Sequence, residues 1–180
     1  YATSEGATAV GDASTAQGIR ATAVGQYAYT NADYATAIGG DAQALEYGAS
    51  AVGVEAEAAG FFSAAFGAGA ESTGDFSTAL GGYSHAEGFN ATALGSFADA
   101  SGTNSLALGS DSVASGENST AVGQESIAAG HASTAVGGVA NGFQAEAWGT
   151  GATALGAGAG ATNDFTTAAG TLAWADGLDS

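Results

Sequence analysis

One five-residue phrase recurs every fourteen residues along this chain, ten times in succession and without a change of spacing. Its five positions hold, in order, a small residue, a residue that is usually Thr, an Ala, a bulky apolar residue and a Gly. Constant spacing is typical of a stack in which each copy is one rung, because only equal rungs need equal lengths. A chain made of such rungs builds an extended surface rather than a catalytic cleft. The closing glycines are Gly11, Gly25, Gly39, Gly53, Gly67, Gly81, Gly95, Gly109, Gly123 and Gly137.

The first half of each rung alternates between small and polar residues. If the closing Gly is position 14, positions 3 and 5 are small, as in Ala56 and Ala58, and the flanking positions carry charge, as in Glu55 and Glu57. This alternation over positions 2–6 predicts a half-buried strand with its small side chains inward. Gly often follows at position 7, as at Gly60, where we expect a sharp turn with positive φ.

The second half of each rung avoids charge on both sides of its strand. In the ten regular rungs, positions 10 to 13 contain no Asp, Glu, Lys or Arg, and position 12 is always Ala. Successive strand residues face opposite sides, so both faces need cover. The other strand of the rung covers one face, and we expect another copy of the chain to cover the second. The pattern leaves open whether positions 10 and 12 or positions 11 and 13 face the interior.

The charge balance excludes several classes of partner. The net charge is −17, with Arg20 as the only Lys or Arg, so phosphate repulsion argues against nucleic acid and anionic membranes. There is no Cys, which excludes disulfides and thiolate chemistry, and there is no Pro, which suits a backbone engaged in ladder hydrogen bonds. We therefore expect no nucleic-acid partner and no direct membrane contact by this fragment.

The repeat resembles the head repeats of trimeric autotransporter adhesins, the YadA-like family. The phrases ATAVG at 21–25, STALG at 77–81 and STAVG at 119–123 carry the resemblance, as does the half-rung SDSVASG at 110–116. The resemblance implies a left-handed parallel β-roll with three chains around one axis, displayed on a Gram-negative bacterium. It also implies binding to host matrix proteins or cells, autoaggregation and biofilm formation.

These observations predict an all-β fold, a left-handed parallel β-roll (β-solenoid) of 14-residue rungs assembled as a homotrimer. We expect one head domain over 1–180, with regular rungs at 1–137, an irregular rung or loop at 138–156, and rungs again at 157–180. Stalk heptads and a membrane barrel are absent from the sequence. We therefore expect a head fragment at the bacterial cell surface, held in the outer membrane through parts outside this chain.

The predicted function is adhesion through many weak surface contacts, without an enzymatic activity. A structural β-solenoid of another surface or phage-fibre assembly is the alternative. Ligand contacts are expected from the outer strand, from a loop near Asn141 and from exposed aromatic residues. The candidate residues are Tyr83, His85, Glu87, Asp99, Glu55, Glu57, Phe61, Phe62, Asn141 and Phe143.

Aromatic residues gather at positions 8 and 9 of the early rungs. They could pack against a neighbouring subunit or a corner of the rung, or they could form an exposed adhesive strip. The sequence leaves both interpretations open. These residues are Tyr34, Tyr47, Phe61, Phe62, Phe76 and Phe89.

A ladder of Thr residues at position 11 raises a further alternative, an ice-binding solenoid. Such a function requires an exposed ladder, whereas the uncharged strand is predicted to be buried. Thr also simply suits strands. The ladder comprises Thr8, Thr22, Thr36, Ser50, Thr78, Thr92, Thr120 and Thr134, and Ala64 and Leu106 interrupt it.

Neither a cofactor site nor a dedicated metal site is predicted. Acidic residues that occupy the same position in adjacent rungs, such as Glu57 and Glu71, could share a cation, but the glycine-rich calcium-binding repeat is missing. His85 and His131 have no Cys or second His at ligand spacing, which argues against zinc. No nucleophile–His–acid pattern or phosphate loop appears, so no catalytic residue is proposed.

Overall fold

The computed structural model describes residues 1–177, which form short β-strands joined by tight turns and contain no helix. The chain divides into two compact units, Tyr1–Asn90 (unit 1) and Ala91–Ser180 (unit 2). Each unit contains six rungs, and each rung has one three-residue strand and one two-residue strand. The prediction of an all-β parallel solenoid of 14-residue rungs is confirmed.

In unit 1, each strand pairs in parallel with the strand fourteen residues later, so that odd-numbered strands form one sheet and even-numbered strands another. The strands are β1 (Thr8–Val10), β2 (Thr15–Ala16), β3 (Thr22–Val24), β4 (Tyr29–Thr30), β5 (Thr36–Ile38), β6 (Gln43–Ala44), β7 (Ser50–Val52), β8 (Glu57–Ala58), β9 (Ala64–Phe66), β10 (Glu71–Ser72), β11 (Thr78–Leu80) and β12 (His85–Ala86).

Unit 2 repeats the same two parallel sheets. Its strands are β13 (Thr92–Leu94), β14 (Asp99–Ala100), β15 (Leu106–Leu108), β16 (Val113–Ala114), β17 (Thr120–Val122), β18 (Ile127–Ala128), β19 (Thr134–Val136), β20 (Glu146–Ala147), β21 (Thr153–Leu155), β22 (Gly160–Ala161), β23 (Thr167–Ala169) and β24 (Trp174–Ala175).

The structure decides which side of the longer strand faces the interior. Ala35 and Ala37, at positions 10 and 12, are fully buried, as are Ala42 and Ala44, at positions 3 and 5 on the opposite side of the rung. Ile38 at position 13 points outward and is 41% exposed. The two sheets therefore close on Ala, Ser and Thr, and the narrow space between them explains why the bulky residue of each rung lies outside.

The expectation of a positive φ at position 7 is wrong. Gly60 does not have positive φ, but a Cβ there would lie 2.0 Å from the carbonyl oxygen of Gly74 in the next rung. At Gly60 the neighbouring backbone therefore leaves no room for a side chain, whereas Ala32, Glu46 and Asn163 occupy position 7 in other rungs. Positive φ occurs instead at position 14, as at Gly67 (φ 141°), and at positions 2 and 9, where it is mostly found in residues other than Gly, such as Glu55 (φ 59°) and Phe62 (φ 52°).

The predicted outer strand over positions 2–6 is also shorter than expected. Only positions 4 and 5 are strand residues, as in β8. The left-handed φ at position 2 breaks the extended conformation, so Glu55 lies in a turn rather than in the strand. The charged side chains nevertheless remain on the outside of the rung.

The irregular rung contains a small β-hairpin. Residues 139–144 stand where other rungs have the single residue of position 2. Ala140 and Phe143 form an antiparallel bridge, with N–O distances of 2.8 and 3.0 Å. Asn141 (φ 51°) and Gly142 (φ 81°) form the two-residue turn, with the positive φ values that a type I′ turn needs. The extra residues leave the sheet as a hairpin, and the strands on either side keep their parallel register.

The single-domain division into 1–137, 138–156 and 157–180 stays a prediction. Its last segment extends into 178–180, which lie outside the described residues.

Candidate functional site

The first candidate surface is the outward side of the three-residue strands, which we call the outward face. It carries the side chains of positions 11 and 13, and no other part of the described chain covers the bulky residues of position 13. Those of position 11 are mostly half-buried between their neighbours. The most exposed position-13 residues are Val10, Ile38, Phe66 and Leu80 in unit 1, and Leu94, Val136 and Leu155 in unit 2.

The Thr ladder lies on this outward face and alternates with the bulky residues. In β11, Thr78 is half-buried and Leu80 is 45% exposed. The face is therefore a mixed and mainly apolar surface, free of charge in every regular rung. An uncharged sheet face of this kind favours contact with another protein surface over contact with water.

The second candidate surface is a continuous row of rings at positions 8 and 9 of unit 1, which we call the aromatic stripe. Neighbouring ring centroids lie between 4.7 Å (Phe61–Phe62) and 6.2 Å (Phe62–Phe76) apart, mostly in edge-to-face contact. All six rings are at least 38% exposed. The stripe consists of Tyr34, Tyr47, Phe61, Phe62, Phe76 and Phe89.

Backbone hydrogen bonds hold the turns beneath the stripe at a fixed spacing. The Phe62 N–H donates to the carbonyl of Tyr47 at 3.0 Å, and the Phe76 N–H donates to the carbonyl of Phe61 at 2.8 Å. The Phe61 N–H donates to the carboxylate of Asp75 at 2.9 Å. The rung-to-rung ladder thus continues through the turn, and it places one or two rings on each rung.

A third candidate surface is formed by the polar side chains of the two-residue strands. Glu57 and Glu71 are register partners in adjacent strands, and Nε2 of His85 in the next strand lies 3.3 Å from a carboxylate oxygen of Glu71. A similar pair, 3.9 Å apart, joins His131 and Glu117, which lie in turns rather than on these strands. Within residues 1–177, no three His, Cys, Asp or Glu side chains converge in a way that could hold a metal ion.

The family comparison agrees with this architecture. The model of a family described as "YadA head domain repeat (2 copies)" matches the chain in six segments. These segments are residues 2–28, 31–56, 58–84, 86–112, 114–138 and 137–159. The chain belongs to this family. A comparison with curated proteins gave no match. The family match confirms the predicted resemblance to a YadA-like head.

Membership in the YadA head family implies a general role. These repeats form the heads of trimeric autotransporter adhesins, so the chain has an adhesin-type function at a bacterial surface, in a family that is generally not enzymatic. In the described part of this head, no helix has the length and apolarity needed to cross a membrane.

Within each unit, the structure distributes the candidate residues of this head over different surfaces. In unit 1, Phe61 and Phe62 lie in the aromatic stripe, whereas Glu57 and His85 lie on the two-residue strands. Glu55 and Tyr83 occupy left-handed turns at position 2, and Glu87 is exposed one residue beyond β12. In unit 2, Asp99 is half-buried in β14, and Asn141 and Phe143 are exposed on the hairpin.

The hairpin borders an apolar depression in unit 2. Its volume is about 340 Å³, and Phe143, Gly158, Leu172 and Trp174 line it. The ring of Trp174 covers Gly160 of the preceding rung so closely that a Cβ on that glycine would lie 2.3 Å from the ring. The predicted loop thus has a surface recess beside it, although this recess contains none of the charged candidates.

Sequence reasoning missed the pairs that form between equal positions of adjacent rungs. His85 and Glu71 share position 4, and His131 and Glu117 share position 8, so the fourteen-residue offset could have identified both pairs. The Asn141-Gly142 dipeptide is likewise a strong hairpin signal that the loop prediction did not use.

Proposed function

We propose that this chain is the head of a trimeric adhesin, in which three copies cover one another's outward faces. One observation carries the proposal: the outward face is apolar and uncharged, and in the described chain it is uncovered. Burying the exposed part of one Leu or Val side chain contributes about 1 kcal/mol, and the contribution recurs rung after rung. A ring of three chains lets each copy cover the next with a repeated surface.

The adhesive mechanism is multivalent. The trimer presents three copies of the polar two-residue strands, the aromatic stripe and the hairpin to a host matrix protein, a host cell or a neighbouring bacterium. Individually weak contacts then combine into strong attachment, because each bound contact raises the effective concentration of the next. The same contacts between bacteria support autoaggregation and biofilm formation. Parts outside this chain anchor the head in the outer membrane.

The decisive experiment measures the solution mass by light scattering for two variants that each add one carboxylate. Leu80→Asp places a charge on the outward face, whereas Gln43→Asp places one on the exposed two-residue strand β6. We expect three chains per particle for the wild type and for Gln43→Asp, and loss of the trimer for Leu80→Asp. A folded single chain at micromolar concentration in the wild type would contradict the proposal.

Adhesion is tested on the same proteins. Wild type and Gln43→Asp, displayed on beads or on a non-adherent bacterium, should attach to surfaces coated with extracellular-matrix protein and should aggregate the carriers. Leu80→Asp should lose most of this attachment together with its trimeric mass. A trimeric wild type that neither attaches nor aggregates would remove the adhesive part of the proposal and leave only the assembly.

A further inference from the structure

We propose that the aromatic stripe of unit 1 is a docking surface for an extended, Arg- and Lys-rich polypeptide. The proposal rests on the adhesive role proposed above and names a chemical class of partner for one of its surfaces.

The rings are exposed yet ordered before any partner binds. Phe62 is 50% exposed, and its ring lies over Gly48 of the preceding rung, where a Cβ would come within 2.6 Å of it. Phe76 stacks on Phe62 at 6.2 Å and meets Phe89 at 5.7 Å. Each ring is thus held by its neighbours. The rings therefore lose little side-chain entropy when a partner binds.

The charge around the stripe selects a cationic partner. The chain has a net charge of −17, and Asp33, Glu46 and Asp75 each directly precede a ring of the stripe in the sequence. Two of these carboxylates also accept backbone N–H groups, Asp33 from Ile19 at 2.8 Å and Asp75 from Phe61. Aromatic faces and fixed carboxylates both attract ammonium and guanidinium groups.

The chain itself contains one example of the contact. Arg20 is its only Lys or Arg, and the guanidinium carbon lies 5.9 Å from the ring centroid of Tyr34, at the start of the stripe. This distance is within the range of a cation–π interaction. The remaining five rings receive no Lys or Arg from this chain, because Arg20 is already at Tyr34.

The spacing of the rings fits an extended peptide. Along position 8, the centroids of Tyr47 and Phe61 are 5.5 Å apart. An extended chain rises roughly 3.3 Å per residue, so side chains on one face recur about every 6.6 Å. A peptide lying along the stripe can therefore present about one basic side chain to each rung.

A second copy of this chain fits the stripe less well than a basic polypeptide. A copy brings a further net charge of −17 and a single Arg, so the two acidic surfaces would repel each other. The stripe also lies in the turns, whereas the outward face that we assign to self-association lies on the three-residue strands. The charges therefore favour a foreign, basic segment as the occupant.

The test measures binding of a fluorescent octa-arginine peptide to the intact assembly by anisotropy, with octa-citrulline as the uncharged control peptide. The double variant Phe62→Asn/Phe76→Asn removes two rings without changing the net charge. Asn tolerates the left-handed φ of 52° and 58° at these positions, as Asn104 and Asn118 do in unit 2. Each exposed cation–π contact contributes roughly two- to fivefold, so we expect binding about tenfold weaker.

The matched control is Tyr27→Asn, which removes an exposed ring in a left-handed turn (φ 57°) outside the stripe. It should change the affinity by less than twofold. Raising the salt to about 0.5 M shortens the range of surface electrostatics, and the difference between wild type and the double variant should persist there. Octa-citrulline should bind neither protein.

Three results would overturn the inference. Equal affinities of wild type and the double variant would show that octa-arginine binds to acidic charge alone. Equal losses of affinity in Tyr27→Asn and in the double variant would show that any exposed ring can bind the peptide. A changed solution mass in the double variant would assign the stripe to subunit contacts. If the assembly is trimeric and adheres to matrix-coated surfaces but fails these tests, only this inference falls. If the wild type is a single chain, the proposed function falls independently of the peptide result.

Discussion

The two units share one backbone but differ in the side chains of position 9. In unit 1 this turn position carries rings on adjacent rungs, such as Phe62 and Phe76, whereas in unit 2 the adjacent rungs carry Asn104 and Asn118, and a ring, Phe165, stands farther along. Phe62, Phe76, Asn104 and Asn118 all have a left-handed φ between 52° and 58°. The Asn side chains form a ladder in which Asn104 Nδ2 donates to Asn118 Oδ1 at 3.2 Å.

This difference shows that the stack, and not the side chain, imposes the turn conformation. The Phe62 N–H and the Asn118 N–H both donate to a carbonyl of the preceding rung, at 3.0 and 2.8 Å. Asn adopts a left-handed conformation readily, whereas a bulky aromatic residue does so at a cost of about 1–2 kcal/mol. Unit 2 accepts the same cost at Phe97 and Phe165, so the strain alone does not distinguish the units. What marks unit 1 is the run of contacts between its rings, which is typical of a surface kept for binding.

The largest effect should follow substitutions that are equally disruptive in both units. Gly67→Ala in unit 1 and Gly109→Ala in unit 2 each place a Cβ 2.4 Å from the carbonyl oxygen of the next rung, at φ values of 141° and 140°. We expect each to lower the free energy of unfolding by about 3–5 kcal/mol, measured by urea denaturation.

Gly40→Ala and Gly138→Ala are the matched controls. A Cβ at these glycines meets its nearest atom only at 3.9 and 3.7 Å, and neither φ is positive. Both should change stability by less than about 1 kcal/mol. A mild effect of Gly109→Ala beside a severe effect of Gly67→Ala would break the equivalence of the two backbones.

Transplanting the rings should transfer binding between the units. Asn104→Phe/Asn118→Phe builds a second pair of adjacent rings in unit 2, and we expect octa-arginine to bind two- to fivefold more tightly. Replacing Asn by Phe at a left-handed turn should also lower the free energy of unfolding by about 1–2 kcal/mol. If the transplanted rings destabilise unit 2 but add no affinity, the carboxylates that adjoin the stripe in unit 1 are an essential part of the surface.

The hairpin is the feature that unit 1 lacks, and its removal should have a small effect. Replacing 139–144 by a single Asn restores the fourteen-residue spacing. Shortening a surface loop changes its closure entropy by about 0.6 kcal/mol per halving of length, and six residues to one is between two and three halvings, so we expect a stability change within about 2 kcal/mol in thermal denaturation. A loss above about 3 kcal/mol would show that Phe143 and its neighbours support the rungs beneath them.

The smallest effect should come from the exposed His–Glu pairs, one of which lies in the described residues of each unit. The side chains of His85 and Glu71 are both 41% exposed, and those of His131 and Glu117 are more exposed still. Pairs of this kind contribute about 0–1 kcal/mol, so His85→Gln and His131→Gln should each shift stability by less than about 1 kcal/mol. A larger effect of His85→Gln alone would indicate that Glu57 and Glu71, stacked in adjacent strands, need a neighbouring cation.

The contacts at positions 8 and 9 were only partly predictable. The sequence places Phe61 at position 8 and Phe62 and Phe76 at position 9, and aromatic residues that recur at these two neighbouring positions predict a row. Whether the rings pack outward or against a corner depends on the turn geometry, in which the left-handed φ at position 9 projects Phe62 over Gly48. Sequence reasoning placed the positive φ at position 7, because Gly has two different uses and its presence does not say which one applies.

The sequence by itself determined the rung length, the parallel stacking and the family, because a fixed fourteen-residue period permits only equal rungs in register. It also determined that one strand of each rung would avoid charge on both faces. The tertiary structure alone decided that positions 10 and 12 face the interior. Two closely packed sheets accept Ala and Ser between them but leave no room for Ile38 or Leu80. Burial depends on the distance between strands, and no local pattern encodes that distance when both faces are uncharged.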